Sequence, residues 1–302
     1  MVRTSSPSFA EYACRLRPQV DAALESCCQL GEGCPATLQE AIRYVLLAPG
    51  KRLRPMLVLL AAEACGGDIE AAMPAACAVE MVHAYSLVHD DLPPMDDDDL
   101  RRGRPTCHKA FGEALAILTG DALLSMAFAQ LSQAMTPPTV AAACCAALAE
   151  ATGPCQLVGG QADDLAAADR QRQAVASITD LERIHHRKTG AMIRVSLRLG
   201  GLAALANAES LDALDQYGHR LGLAFQITDD LLDVCGDEAT AGKRLGKDSR
   251  RGKVTFPSLL GVKASMAHAQ RLITEACAAL GPLGPPAEGL ETLARYVLER
   301  NR

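Results

Sequence analysis

The stretch AACAVEMVHAYSLVHDDLPPMDDDDLRRG, residues 75–103, carries two patterns in succession. In residues 75–89 the apolar side chains recur at Ala78, Val82, Tyr85 and Val88, the three-or-four spacing of one helix face. Six carboxylates then fall within ten residues (Asp90, Asp91, Asp96, Asp97, Asp98, Asp99), followed closely by Arg101, Arg102 and Arg104. Carboxylates so crowded repel one another and take up protons unless a cation neutralises them. Hard divalent cations take such oxygen ligands. On a straight helix Asp90 and Asp96 would point about 240° apart. Pro93 and Pro94 stop the helix between them, so the chain can turn and bring Asp96 toward the ion that Asp90 would hold.

Outward from this stretch the helical repeat continues. Leu221, Ala224, Phe225, Leu231 and Leu232 repeat it over residues 221–235, and alternating β-branched runs are missing. Breaks fall at Pro49-Gly50, Gly66-Gly67, Pro93-Pro94, Gly103 to Pro105, Pro137-Pro138, Gly153-Pro154, Gly200-Gly201, Gly242 to Gly252 and Gly281 to Gly289. They divide 302 residues into roughly ten helices with no long polar linker and no repeat. The expected fold is all-α, one domain over 1–302, with the least charged helices (residues 122–162) at its centre.

Composition bounds the function. With 49% hydrophobic and 22% charged residues the chain can bury a large core, and disorder is excluded. A net charge of −6 without a basic stripe argues against nucleic acid. Twelve cysteines lack zinc spacing, and several sit among Ala and Leu. No secretory signal precedes them, so reduced thiols in a cytoplasmic protein are expected. Residues 122–149 carry no charge, but Pro137-Pro138 and scattered Ser, Gln and Thr argue for a buried soluble helix over a membrane span. Aromatic residues are only 3% of the chain, so aliphatic side chains must fill the core.

A second acidic cluster lies in FQITDDLLD, residues 225–233, where Asp229 and Asp233 share one helix face and Asp230 lies beside them. Two acidic sites closing apolar helices suggest a shared cleft for magnesium ions, whose usual companion is a phosphate or diphosphate. Basic elements complete the pattern: Lys51 and Arg54 after a Gly turn, Lys188-Thr189-Gly190, and a glycine-punctuated loop with Lys243, Arg244, Lys247 and Lys253. Arg forks bind phosphate bidentately and Lys acts as a point charge. An acidic cleft beside a basic pocket fits two diphosphates, one held through metal and one held directly.

From about residue 36 onward the chain resembles the short-chain trans-prenyl diphosphate synthases, the bacterial farnesyl type above all. The likeness rests on GKRLRP (50–55), VEMVHAYSLVHDDLPPMDDDDLRRGRPTCH (79–108), GDALL (120–124), GGQADDL (159–165), KTG (188–190), FQITDDLLD (225–233) and the basic glycine loop. The resemblance implies an isoprenoid-synthase bundle around a central cavity, usually a homodimer. It implies metal binding by Asp90, Asp91, Asp96, Asp229 and Asp233, with three magnesium ions under an allylic diphosphate. Arg101, Lys188, Thr189, Gln226, Lys243 and Lys253 would help hold that diphosphate. Lys51, Arg54, His83 and Arg102 would hold isopentenyl diphosphate.

The implied chemistry is ionisation of the allylic diphosphate and attack by the isopentenyl double bond. It needs no enzyme nucleophile, in keeping with the absence of a Ser/His/Asp or Cys/His signature. Asp90, Asp96, Arg101, Lys188, Asp229 and Lys243 are the residues closest to that chemistry. Tyr85, five before Asp90, matches the place where, in the family it resembles, a bulky side chain limits tail length, and with the small Ser86 beside it the resemblance implies a fifteen-carbon product. Ten- and twenty-carbon products, a class I terpene cyclase and a non-catalytic synthase subunit are the alternatives. Two departures from the family pattern stand out: Pro49 in place of a second Gly before Lys51, and Val254 in place of a small polar residue after Lys253.

Overall fold

The computed structural model describes residues 7–168, 177–235 and 254–299. These residues form fourteen α-helical segments, joined by short turns and one two-stranded hairpin. We label them α1 (Phe9–Cys27), α2 (Ala36–Leu46), α3 (Leu53–Ala64), α4 (Ile69–Asp90), β1 (Leu100–Arg101), β2 (Arg104–Pro105), α5 (Cys107–Phe111), α6 (Glu113–Ala134) and α7 (Pro138–Thr152). There follow α8 (Leu157–Ala168), α9 (Ile178–His185), a π-helical turn (His186–Gly190), α10 (Ala191–Ala203), α11 (Ala208–Cys235), α12 (Phe256–Leu260), α13 (Val262–Ala279) and α14 (Glu288–Glu299). The all-α expectation holds.

The core is centred on α3, α4 and α10. α3 buries Pro55 through Ala62 without interruption, and α4 buries Ala75 through Val82. Helices this apolar on every side must be covered by others. α4 packs on α3 and α6, α10 packs on α3, α7 and α11, and α11 packs on α13. One continuous apolar core runs from Leu16 in α1 to Val297 in α14.

Two expectations are corrected. The least charged helices are not central. Within 122–162, Leu123, Ala127, Leu131, Cys144 and Leu148 turn inward, but Ala129, Ala142 and Ala146 are exposed, as is Val158 of α8 at 47%. α4, α6 and the Pro138–Ala167 stretch are each long and apolar enough to cross a bilayer by length and composition. Nor do Gly200 and Gly201 break a helix; both lie inside α10. A Cβ on Gly200 would come within 2.1 Å of the Val58 carbonyl oxygen, and one on Gly201 within 2.7 Å of Leu211. These glycines let α10 seat against α3 and α11, and the turn comes later, at Leu205 with φ 54°.

Candidate active site

The first acidic arm begins where α4 ends. After Pro93 and Pro94 the chain folds back: the Asp96 N–H donates to the Asp90 carbonyl (2.8 Å) and the Asp97 N–H to that of Leu92 (3.1 Å). This is the turn expected to bring Asp96 beside Asp90. Burial pushes the Asp90 carboxyl up to about 6; Lys188 pulls it down, and Asp96 raises it further. A half-buried carboxylate next to a second one calls for a cation.

Asp91 is different. It is 3% exposed, and both its oxygens accept from Arg101 Nε, at 2.8 and 2.9 Å. Asp91, expected among the metal ligands, here has its carboxylate engaged by the Arg101 guanidinium. Arg101 stands on the hairpin β1–β2, whose turn carries Arg102 at φ 53° and Gly103 at φ 76°. That left-handed pair makes a tight two-residue turn and presents two consecutive arginines.

The basic wall rises from the loop before α3. Arg102 donates to the Pro49 carbonyl at 2.8 Å, and a Cβ on Gly50 would lie 2.4 Å from Arg102 Nη1. Gly50 thus makes room for the guanidinium, and Pro49 serves as its acceptor. Arg54 Nε is buried with no partner among the described residues. Burial, together with the Arg54 and Arg102 charges, holds the His83 imidazole well below its usual value, so His83 is neutral here.

Sequence reasoning missed the frame behind this wall. Arg52, 6% exposed and at φ 49°, donates to Asp21 of α1 (2.8 Å), Glu80 of α4 (2.8 Å) and the Ala48 carbonyl (3.0 Å). Glu80 in a buried helix was the available signal. The first 35 residues contribute too: Phe9 stacks on Tyr296 (4.3 Å), and Lys51 Nζ lies 5.9 Å from that Tyr296 ring. No local motif marks this contact.

The π-helical turn interrupts the α9–α10 axis, as such turns often do at functional sites. It sets Lys188 Nζ 2.7 Å from Asp164 and Thr189 Oγ1 3.1 Å from Gln226 Oε1. Close backbone approach holds it there: a Cβ on Gly222 would be 2.9 Å from Gly190 Cα, and one on Gly160 2.5 Å from the Lys188 nitrogen. On α11, Asp230 accepts from the Phe256 N–H (3.0 Å) and from Gln226 Nε2 (3.3 Å), tying α12 to the site. Asp233 is 7% exposed. Lys243, Arg244, Lys247 and Lys253 lie outside the described residues.

The expected single cavity resolves into separate spaces among the described residues. The largest, about 1730 Å³ of atom-free space partly open to solvent, joins Lys51, Arg54, His83, Arg101, Arg102, Thr189 and Asp229. A second joins Lys188, Thr189 and Gln226 with Val254. A third, mostly apolar, runs from Asp90 past Tyr85 and Ser86 to Leu157 and Leu165. Asp229 therefore faces the basic wall, whereas Asp90 faces the apolar space. Among the described residues no group of three or more His, Cys, Asp or Glu side chains is gathered for an ion. Asp90 and Asp96 on one arm and Asp229 and Asp233 on the other fit magnesium in its usual manner, through one or two carboxylates plus substrate phosphate and water.

A family model for polyprenyl synthetase matches residues 35–279. The chain is 47% identical over 270 residues to farnesyl diphosphate synthase of Escherichia coli (strain K12), covering 87% of this chain and 89% of that one. It is 43% identical over 303 residues to geranylgeranyl pyrophosphate synthase 11, chloroplastic, of Arabidopsis thaliana, covering 99% and 84%. The crystal structure of an FPP/GFPP synthase from Zymomonas mobilis superposes with a TM-score of 0.85 at 38% identity, covering 96% and 98%. The chain belongs to the polyprenyl synthetase family, and it is a prenyltransferase that elongates prenyl chains.

Proposed function

We propose that this prenyltransferase is a magnesium-dependent farnesyl diphosphate synthase, joining isopentenyl diphosphate head to tail with dimethylallyl and then geranyl diphosphate. The observation that carries the chain length is Tyr85 on the wall of the apolar cavity that opens beside Asp90. A tail growing from a diphosphate held near Asp90 and Asp96 meets that ring. The relatives differ in their product names, and the Tyr85 wall of the cavity supports the fifteen-carbon reading. The intact acidic arms count against a non-catalytic subunit, and the basic wall of Lys51, Arg54, His83 and Arg102 counts against a cyclase, which needs no second diphosphate site.

Lys51, Arg54, Arg102 and neutral His83 bind the isopentenyl diphosphate. Lys188, Thr189, Gln226 and Arg101 orient the allylic diphosphate, joined in this reading by Lys243 and Lys253. Magnesium, three ions in this reading, would supply charge neutralisation of the leaving diphosphate at Asp90, Asp96, Asp229 and Asp233. The departing diphosphate accepts the proton lost from the isopentenyl unit, so no side chain must act as base.

In the same reading the chain works as one domain, as a cytoplasmic homodimer that neither crosses a membrane nor binds nucleic acid. The exposed apolar Ile117, Leu118 and Val158 support a second copy packing on this protein. Purified protein with magnesium, isopentenyl diphosphate and geranyl diphosphate should yield the fifteen-carbon diphosphate by chromatography. No elongation from either allylic substrate would overturn the proposal, and a twenty-carbon main product would overturn its chain length.

A further inference from the structure

Gln161 of α8 lines the apolar cavity together with Asp90 and Tyr85. Its Oε1 is buried and has no hydrogen-bond partner among the described residues. A buried carbonyl left unpaired is unfavourable, and such an atom in a folded protein asks for an explanation. Two other polar groups on this wall are engaged: His89 Nε2 lies 3.1 Å from the Ile117 carbonyl, and Ser86 Oγ donates to the His83 carbonyl at 3.0 Å.

The position of Gln161 along α8 supplies the explanation. Asp164, three residues on, holds Lys188 Nζ at 2.7 Å, and both charges act on the Asp90 carboxyl. Asp164 lines the neighbouring space with Lys188, whereas the next residue, Leu165, lines the apolar cavity together with Asp90, so this part of α8 lies at the Asp90 end. Gln161 stands about 4.5 Å deeper along the helix axis. In an allylic diphosphate the three carbons of the allyl unit follow directly on the diphosphate oxygen, so they come to that depth. Resting on the prenyl-elongation reading above, we infer that the Gln161 side-chain carbonyl stabilises the allylic cation.

In that step the C1–O bond breaks with its electron pair leaving on diphosphate oxygen, and C1 and C3 share the positive charge. Gln161 Oε1 faces this charge with its dipole and forms no bond. The C4 carbon of isopentenyl diphosphate then bonds to C1, and a proton leaves its C2 for a diphosphate oxygen. A fixed dipole in a dry cavity acts on developing charge with little screening and no reorganisation.

Gln161→Leu keeps the volume and removes the oxygen. It should fold with a Tm at or above that of the wild type, and Gln161→Met is the second variant should Leu pack poorly. With geranyl diphosphate, kcat should fall about 10- to 100-fold while both KM values stay within about twofold. Binding of a geranyl diphosphate analogue carrying an ammonium nitrogen at the third carbon should weaken by a similar factor. Binding of the non-ionising thiodiphosphate should not change. A kcat within about twofold of wild type, or equal weakening of both analogues, would overturn the role of Gln161. A wild-type protein that elongates nothing would instead remove the reading beneath it.

Discussion

Both carboxylate oxygens of Asp91 accept from Arg101 Nε, at 2.8 and 2.9 Å, across the turn that separates α4 from the hairpin. Asp90, its neighbour in sequence, faces the apolar cavity instead. Adjacent aspartates thus have different surroundings, one paired with an arginine and the other lining the cavity. Asp91→Asn should lower turnover about 100-fold by releasing Arg101, yet leave the magnesium concentration for half-maximal rate nearly unchanged. Asp90→Asn or Asp96→Asn should raise that concentration, and removal of magnesium with a chelator should abolish elongation in the wild type. Magnesium titrations of the three variants check this.

Gly50 and Arg102 are fitted to each other, since a Cβ at residue 50 would lie 2.4 Å from Arg102 Nη1. Gly50→Ala must push the guanidinium off the Pro49 carbonyl that now accepts from it. Initial-rate measurements should show KM for isopentenyl diphosphate rising about tenfold, the loss of roughly 1.4 kcal/mol of binding. KM for the allylic substrate should stay nearly unchanged.

The acidic and basic motifs announced the chemistry because charge at short spacing is readable without coordinates. The fold class was readable for a similar reason, since apolar residues recur every three or four positions. The turn that brings Asp96 back to Asp90 followed from two prolines. What escaped was long-range. Nothing local in Asp21, Phe9 or Tyr296 says that α1 and α14 close over Lys51 and Arg52. Gly200 and Gly201 looked like a break because close helix packing and helix termination both favour glycine. The apolar α6 looked central because composition does not tell a buried face from one left open. The division of labour between Asp90 and Asp91 depends on where Arg101 lands, which the hairpin decides.

Tyr85 lies edge-on to His89, ring centroids 5.1 Å apart, on the wall of the apolar cavity. Removing the ring should deepen that cavity more than it disturbs the ion end. Tyr85→Ala should shift the main product from fifteen to twenty or more carbons, and Tyr85→Phe should hold it at fifteen. Chromatography of dephosphorylated products reads the result, and an unchanged product from the Ala variant would refute the chain-length stop.

His186 and His219 stack with ring centroids 4.0 Å apart and planes 6° from parallel, which couples α11 to the π-helical turn bearing Lys188 and Thr189. Burial holds the His186 imidazole down to about 4, and the His219 and Arg194 charges push the same way; burial lowers His219 as well. Asp215, which binds Arg194 at 2.9 Å from Nε, and Glu182 pull His219 the other way, but burial and the arginine charges outweigh them. Near neutral pH both folded and unfolded chains carry these rings uncharged, and the stacked pair contributes its full stability. Below the ordinary histidine value of about 6.5 the unfolded chain takes up protons that the folded chain refuses, so stability falls. That loss should run until about pH 4, where His186 itself is protonated in the fold. Thermal melts of the wild type should therefore drop between pH 6.5 and 4. His219→Phe keeps a ring against His186 but removes one repelling charge, so its melts should fall less steeply across the same range. Equal slopes for the two proteins would show that acid sensitivity arises elsewhere.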